Sequence, residues 1–474
     1  MLGKRLDGLV IVVLCVFLTF SILIGLTSLS VTAISLDELD FGSVNGDGQD
    51  LQSEGQEIVV SDPEGIRITE PHQMLDCHGT TLEALQEDGN LISIIKTKNI
   101  TVQNCVITGN TEVGIEVYGS SNVNILNCTF TEIRKPKGME YGGFSVLIKG
   151  GNNFVVKNNV FDDNEIGLLI EGVRENEVGE EGKESEEIDL SESDGKEISS
   201  SSGYVNNVII EGNTVTNTWM TAALKCHRCS DVTVKNNYLE NNGKPEYFEE
   251  QRIVGIDLHE TYNSRIFGNT VIESTSDGIG VPGEVWENEI VYSYNIKIFN
   301  NTVMDNGEQG IWAIGGRNIT ISNNKIISTK HCYTGCSGVF FEWNVSSSKI
   351  YNNEISGRGN EHKGITITNS HSNEIINNSI TNIGFGIYVE SKEGGQVIGD
   401  YDAVLQSVDP VNNVIISNVI DAWEEFIVLD NENNVVEDNV NLGEGGKFWL
   451  YVVVFIIIIG LIVGVVVLFR ELGK

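Results

Sequence analysis

The sequence predicts an all-β chain: a right-handed parallel β-helix of roughly 11–13 coils, flanked at each end by an apolar helix that spans or is inserted into a membrane. Three observations carry this. The stretch Asn295–Ile326, NIKIFNNTVMDNGEQGIWAIGGRNITISNNKI, holds short alternating apolar runs (Ile296 and Ile298; Thr302 and Val303; Ile311 and Ala313) punctuated by Asn and Gly. It restarts at Asn318, and period two bounded by turn residues marks strands rather than an amphipathic helix. The same order recurs along most of the chain, and 51 Gly, 6 Pro and 40% hydrophobic residues suit a long thin core. At 474 residues the chain would otherwise suggest two or three domains, but repeats grow by stacking, so one long domain is allowed.

Taken in order, Lys4 and Arg5 precede an apolar run from Leu9 to about Ile34, long enough for a membrane anchor, while Val31-Thr32-Ala33 also suits signal cleavage. Residues 35–71 read as linker and cap, with EIVV and GIRI as the first strands and the cap covering the end of the solenoid. Their Asn45-Gly46-Asp47-Gly48 segment lacks the glycine and closing glutamate of a calcium loop and reads as a turn. Residues 72–443 form the solenoid. Within it, residues 175–203 are rich in Glu, Asp and Ser, with too little apolar area to offset ordering, and read as a disordered loop. Residues 444–474 contain a second span, Trp449–Phe469, with aromatic residues at one end and Arg470 and Lys474 past the other. Basic residues outside both spans place both ends in the cytoplasm and the solenoid on the extracellular side of a cell membrane.

The repeats align on one column: Cys105, Cys128, Asn159, Asn213, Asn237, Asn269, Asn301, Asn324, Asn353, Asn378, Asn418 and Asp438, headed by Cys77. Parallel coils stack about 4.8 Å apart. Asn tolerates a left-handed bend, and stacked amides bond to one another as a ladder. Crossovers between parallel strands are right-handed in nearly all cases. The runs LDCHGTTL, NITVQNCVITGN, GIEVYGSSNVNILNCTF, NNSITNIGFGIYVE and NNVIISNVID resemble the right-handed β-helix repeats of the pectate-lyase-like superfamily, in particular its NosD-type and carbohydrate-binding/sugar-hydrolase subgroup. The resemblance implies the fold. It leaves chemistry open, because such repeats serve lyases, hydrolases, epimerases, adhesins and copper-insertion accessory proteins.

A net charge of −37 excludes nucleic acid as a partner, because phosphate binding needs clustered Lys and Arg. Function is sought on the outward positions of the strand that follows each polar turn. One outward column includes Ala223, Asp257, Trp312, Phe340 and Tyr388, and the next includes Lys225 and His259. Trp312, Phe340 and Tyr388 form a strip on which sugar rings stack. Asp257, His259, Glu260 and Asp277, with Lys225, are the candidate catalytic group, since glycosidases need two carboxyls and proton-abstracting lyases need a base beside a cation.

No cofactor and no metal site is expected. Cys226-His227-Arg228-Cys229 and His331-Cys332-x3-Cys336 fall about four coils apart, roughly 19 Å, too far to share an ion. They read as local disulfides or free thiols. Cys105 and Cys128, on successive rungs, read as a buried thiol stack or a disulfide. An odd number of cysteines outside the first span leaves at least one thiol free. Asn99, Asn318, Asn344 and Asn377 head Asn-x-Ser/Thr triplets and are candidate glycosylation sites, as are Asn127 and Asn300 with less room. The leading expectation is a membrane-anchored surface protein that binds polysaccharide or another cell-surface partner without catalysis. A polysaccharide lyase or glycoside hydrolase, and a structural spacer or adhesin, are the alternatives.

Overall fold

The computed structural model describes residues 49–50, 57–60, 65–84, 89–135, 142–173, 203–220, 222–243, 253–286, 289–327, 336–392, 396–397, 404–405, 409–429 and 433–442. Its strands form a parallel solenoid. One face is a 14-stranded sheet and the rest a 24-stranded sheet. The larger sheet is two stacks that merge where Glu354–Thr368, Ser379–Glu390 and Val419–Leu429 run through both. While Val435, Val436 and Val440 of the last coil are exposed, inward residues from Ile68 to Ala422 make one continuous core, as in the column Ile266, Ile298, Ile321, Ile350, Ile375 and Ile415. The rings of Phe130 and Phe161 stack inside it 4.9 Å apart. Burial on this scale, shared between neighbours, is what a single coil lacks.

The Asn column is the spine of the stack. Asn301 shows the pattern: its Nδ2 donates to the backbone oxygen of Ile266 at 3.0 Å and to Asn324 Oδ1 at 3.0 Å, while its Oδ1 accepts Asn269 N and Nδ2 at 3.0 Å. The preceding residue, Asn300, sits at φ 55°, the left-handed bend that Asn adopts at low cost. Cys128 belongs to the same column, its N–H donating to Asn159 Oδ1 at 2.8 Å. A second inward row, Ser348, Asn373, Asn413 and Asn434, was not foreseen. The last rung of the main ladder is Asn439, not Asp438, because the amide donates and a carboxylate cannot; Asp438 occupies the left-handed bend beside it, at φ 52°.

Other expectations are corrected. The strands expected at EIVV and GIRI are present as Glu57–Val60 and Ile66–Ile68, and with Gln49–Asp50 they pair in parallel with the next coil, so the stack starts upstream of residue 72. This lengthens one sheet to fourteen strands. Cys105 is bonded to Cys77, with Cα atoms 4.8 Å apart, and not to Cys128. Cys226 and Cys229 form a local disulfide. Both apolar end segments, Cys15, Cys332 and nearly all of the acidic insertion lie outside the described residues, among which no helix is long and apolar enough to cross a membrane.

Cys128 is a free buried thiol, and burial pushes its pKa up to about 12. Thiolate chemistry is thereby suppressed. Mass spectrometry of the Cys128 peptide is expected to show no alkylation by iodoacetamide in the native protein and full alkylation after denaturation. Rapid native labelling would contradict this burial.

Candidate functional site

The register of the functional face is set by the inward residues. Cys226 pairs with Leu258, so Lys225 stands beside Asp257 and His227 beside His259. The sequence alignment had slipped here by two residues, placing Ala223 beside Asp257. Both Ala222 and Ala223 are small enough for the buried start of this strand. Aligning the apolar Cys226 on Leu258 would have revealed His227, the main residue that sequence reasoning missed.

The corrected columns bring a polar cluster together on three successive coils. Lys225 Nζ lies 3.5 Å from Asp257 Oδ2. The rings of His227 and His259 lie 4.7 Å apart at 40°. His227 is flanked by two carboxylates, with Nδ1 3.5 Å from Glu171 Oε1 and Nε2 3.6 Å from Glu260 Oε1. Arg228 Nε donates to the other oxygen of Glu260 at 3.3 Å.

Burial lowers the His227 pKa, but Glu171 and Glu260 outweigh it and leave the imidazole above its ordinary value. The hydrogen bond from His227 in turn holds Glu171 below the usual carboxylate range. For His259 burial dominates, and the pKa falls to about 4. His259 is therefore neutral at pH 7.

Arg228 and Glu260 occupy left-handed corners, at φ 55° and 47°. The equivalent corners of other coils hold Gly119, Gly150 and Gly315, and also Lys96, Trp343 and Asn369, all at positive φ. A side chain there costs about 1–2 kcal/mol. Asp277 stands apart in role: its carboxylate accepts the backbone N–H of Gln309 at 2.9 Å and the Ser276 hydroxyl at 3.3 Å, ordering a turn. The structure thus gathers Asp257, His259 and Glu260 with Lys225 and His227, while Asp277 serves the preceding turn.

Beyond the cluster the column continues as Gly280, Trp312, Phe340, Thr366 and Tyr388. The three aromatic residues are partly exposed. A Cβ on Gly280 would lie 3.3 Å from Val254 Cγ1, 3.6 Å from Asp257 Oδ1 and 3.7 Å from Trp312 Cε3, so the missing side chain leaves a shallow hollow, about one methyl group deep, between carboxylate and indole. Trp312 Nε1 donates to Glu342 Oε2 at 3.0 Å, which fixes the ring. Burial raises the Glu342 pKa, and the Trp312 bond partly offsets that. Lys363 Nζ lies 3.9 Å from the centre of the Tyr388 ring, and Lys392 Nζ 5.9 Å from that of Phe340. Carboxylates, ammonium groups and rings in one line offer both stacking and hydrogen bonds to a polyhydroxylated chain.

The candidate glycosylation residues differ in availability. Asn99 Oδ1 accepts a bond from Asn122, and the Nδ2 groups of Asn318 and Asn377 are spent on Asn295 and Asn352. Asn344, at φ 63°, lies outside that exposed row of amides.

Comparison with solved structures finds several similar chains. A periplasmic alginate epimerase, AlgG, is 13% identical, with 82% of this chain and 77% of that one covered and a TM-score of 0.45. Tailspike protein 3 of bacteriophage CBA120 is 10% identical, with 83% and 55% covered and a TM-score of 0.50. PfbA, a surface adhesin of Streptococcus pneumoniae, is 14% identical, with 71% and 75% covered and a TM-score of 0.43. Identities this low speak to fold alone. No curated protein matches the chain. A family model described as "Right handed beta helix region" matches residues 54–181, 188–345 and 289–451, and the chain belongs to this right-handed β-helix family.

Proposed function

We propose that the outward face running from Lys225 to Tyr388 binds a polysaccharide, and that the solenoid presents this face outside the cell from a membrane tether. The observation that carries the binding is the in-register column of Trp312, Phe340 and Tyr388 next to the hollow at Gly280. The apolar segments within 1–34 and 444–474, with basic residues outside them, support the tether. Fold similarity does not choose the ligand; the columns support a sugar chain because stacking rings alternate with hydrogen-bonding groups.

The test is a glycan array probed with the full-length protein, followed by titration of the best ligand. Trp312→Ala is expected to weaken binding about tenfold, the equivalent of one lost stacking ring. Gly280→Val, which fills the hollow from outside the core, is expected to weaken it at least as much. No binding across neutral and acidic glycans would overturn the reading.

A catalytic reading of the same face is favoured by the Lys225–Asp257 pair at the edge of the hollow, which puts an ammonium and a carboxylate at one sugar position. Chromatography of products from the bound polysaccharide tests it. Cleavage or isomerisation that survives Asp257→Ala removes Asp257 from that role.

A further inference from the structure

The geometry points to a metal site of the zinc class formed by His227, His259 and Glu260. One ligand atom from each lies within 4.8 Å of the others. His227 Nε2 and Glu260 Oε1 are 3.6 Å apart, the separation of two ligands about 2.1 Å from a common ion at roughly 120°. Two ligands of one ion stand at most about 4 Å apart, so the remaining pairs need close by less than about 1 Å, which a small side-chain rotation supplies. Two imidazoles and one carboxylate suit zinc or its neighbours rather than calcium or magnesium, which prefer oxygen.

Independent observations support the assignment. The Nε2 of His259 is buried and has no hydrogen-bond partner among the described residues, an arrangement that needs an explanation. Glu171 lies 3.5 Å from Nδ1 of His227, where it would accept the Nδ1 proton and leave Nε2, which faces Glu260, to take an ion in place of its proton. Arg228 holds the second oxygen of Glu260. Carboxylate behind histidine and cation behind carboxylate is the outer shell that orients metal ligands.

The site sits on the same two coils as the Lys225–Asp257 pair, two residues further along the strands, and three protein ligands leave a coordination position for water or a sugar oxygen. The inference does not rest on polysaccharide binding, and its test needs no sugar. Full-length protein is stripped with chelator and titrated with Zn²⁺ by calorimetry, with Co²⁺ absorption as a second readout. Saturable binding of Zn²⁺ at this site and intense tetrahedral Co²⁺ bands are expected.

His259→Ala should abolish both. Glu171→Gln, which changes a partly exposed residue and keeps the fold, should weaken Zn²⁺ binding about 10–100-fold. His371→Ala, a distant histidine, should leave it unchanged. Absence of saturable binding by protein with intact β-sheet circular dichroism overturns the assignment. So does binding indifferent to both His259→Ala and Glu171→Gln, which would show that the cluster is only an imidazolium held between Glu171 and Glu260.

Discussion

Asn301→Leu is expected to destabilise the solenoid by about 3–5 kcal/mol. The substitution removes the acceptor of the Asn269 N–H and the donor to the backbone oxygen of Ile266, in a place only 1% exposed. Each buried polar group left without a partner costs about 1–3 kcal/mol, and a Leu of similar size restores none of these bonds. Because coils contact mainly their neighbours, the loss should appear first as faster amide exchange at the rungs of Asn269 and Asn324. Urea unfolding measures the total. Asn295→Gly is the comparison: this residue is at φ 56° and its amide makes an exposed bond to Asn263. Glycine keeps the bend, so a loss under about 1 kcal/mol is expected. Equal losses for the two would show that the inward ladder holds no special share of stability.

The second large effect is expected at Arg228→Met. Glu260 is 2% exposed and faces the Arg228 guanidinium. Removing Arg228 leaves the buried Glu260 carboxylate beside His227 at 3.6 Å but without its guanidinium, and breaking a buried pair typically costs about 3–5 kcal/mol. Arg228→Gly should cost less, since glycine relieves about 1–2 kcal/mol of left-handed strain. The double change Arg228→Gly with Glu260→Gly should cost less than the sum of the two single changes, because their mutual contact is lost only once. A double-mutant cycle by chemical denaturation reads the coupling. Additive effects would mean that the two residues are held at their corners independently.

The sequence made most of the scaffold legible. Each inward Asn must follow a bend and stack on its like, so two local requirements coincide in one repeated pair of letters. The same logic failed where local chemistry is degenerate. Ala222 and Ala223 both fit the narrow start of a strand, and the two-residue ambiguity hid His227 from His259. Cys105 has a cysteine on the rung before and the rung after, and spacing alone cannot choose Cys77. Asp277 carries the same functional group as Asp257, yet the backbone of Gln309 claims it, a contact that depends on the path of a turn rather than on strand period. Arg228 and Glu260 were visible as residues but not as a pair, since a corner that holds glycine, lysine, tryptophan or asparagine in other coils gives no hint that two long charged side chains meet there.

The inward ladder also has a direction. From Asn159 to Asn439, nine successive side-chain bonds run the same way, each Nδ2 donating to the Oδ1 of the next coil. Side-chain amide dipoles therefore align head to tail along the axis, with the oxygen end towards the first coils and the N–H end towards the last. Hydrogen bonds in such chains polarise one another, so a central rung is strengthened from both sides and a terminal rung from one. Lengthening the solenoid by whole coils then reinforces the rungs already present, whereas one apolar residue at the middle divides a long polarised wire into two weaker ones.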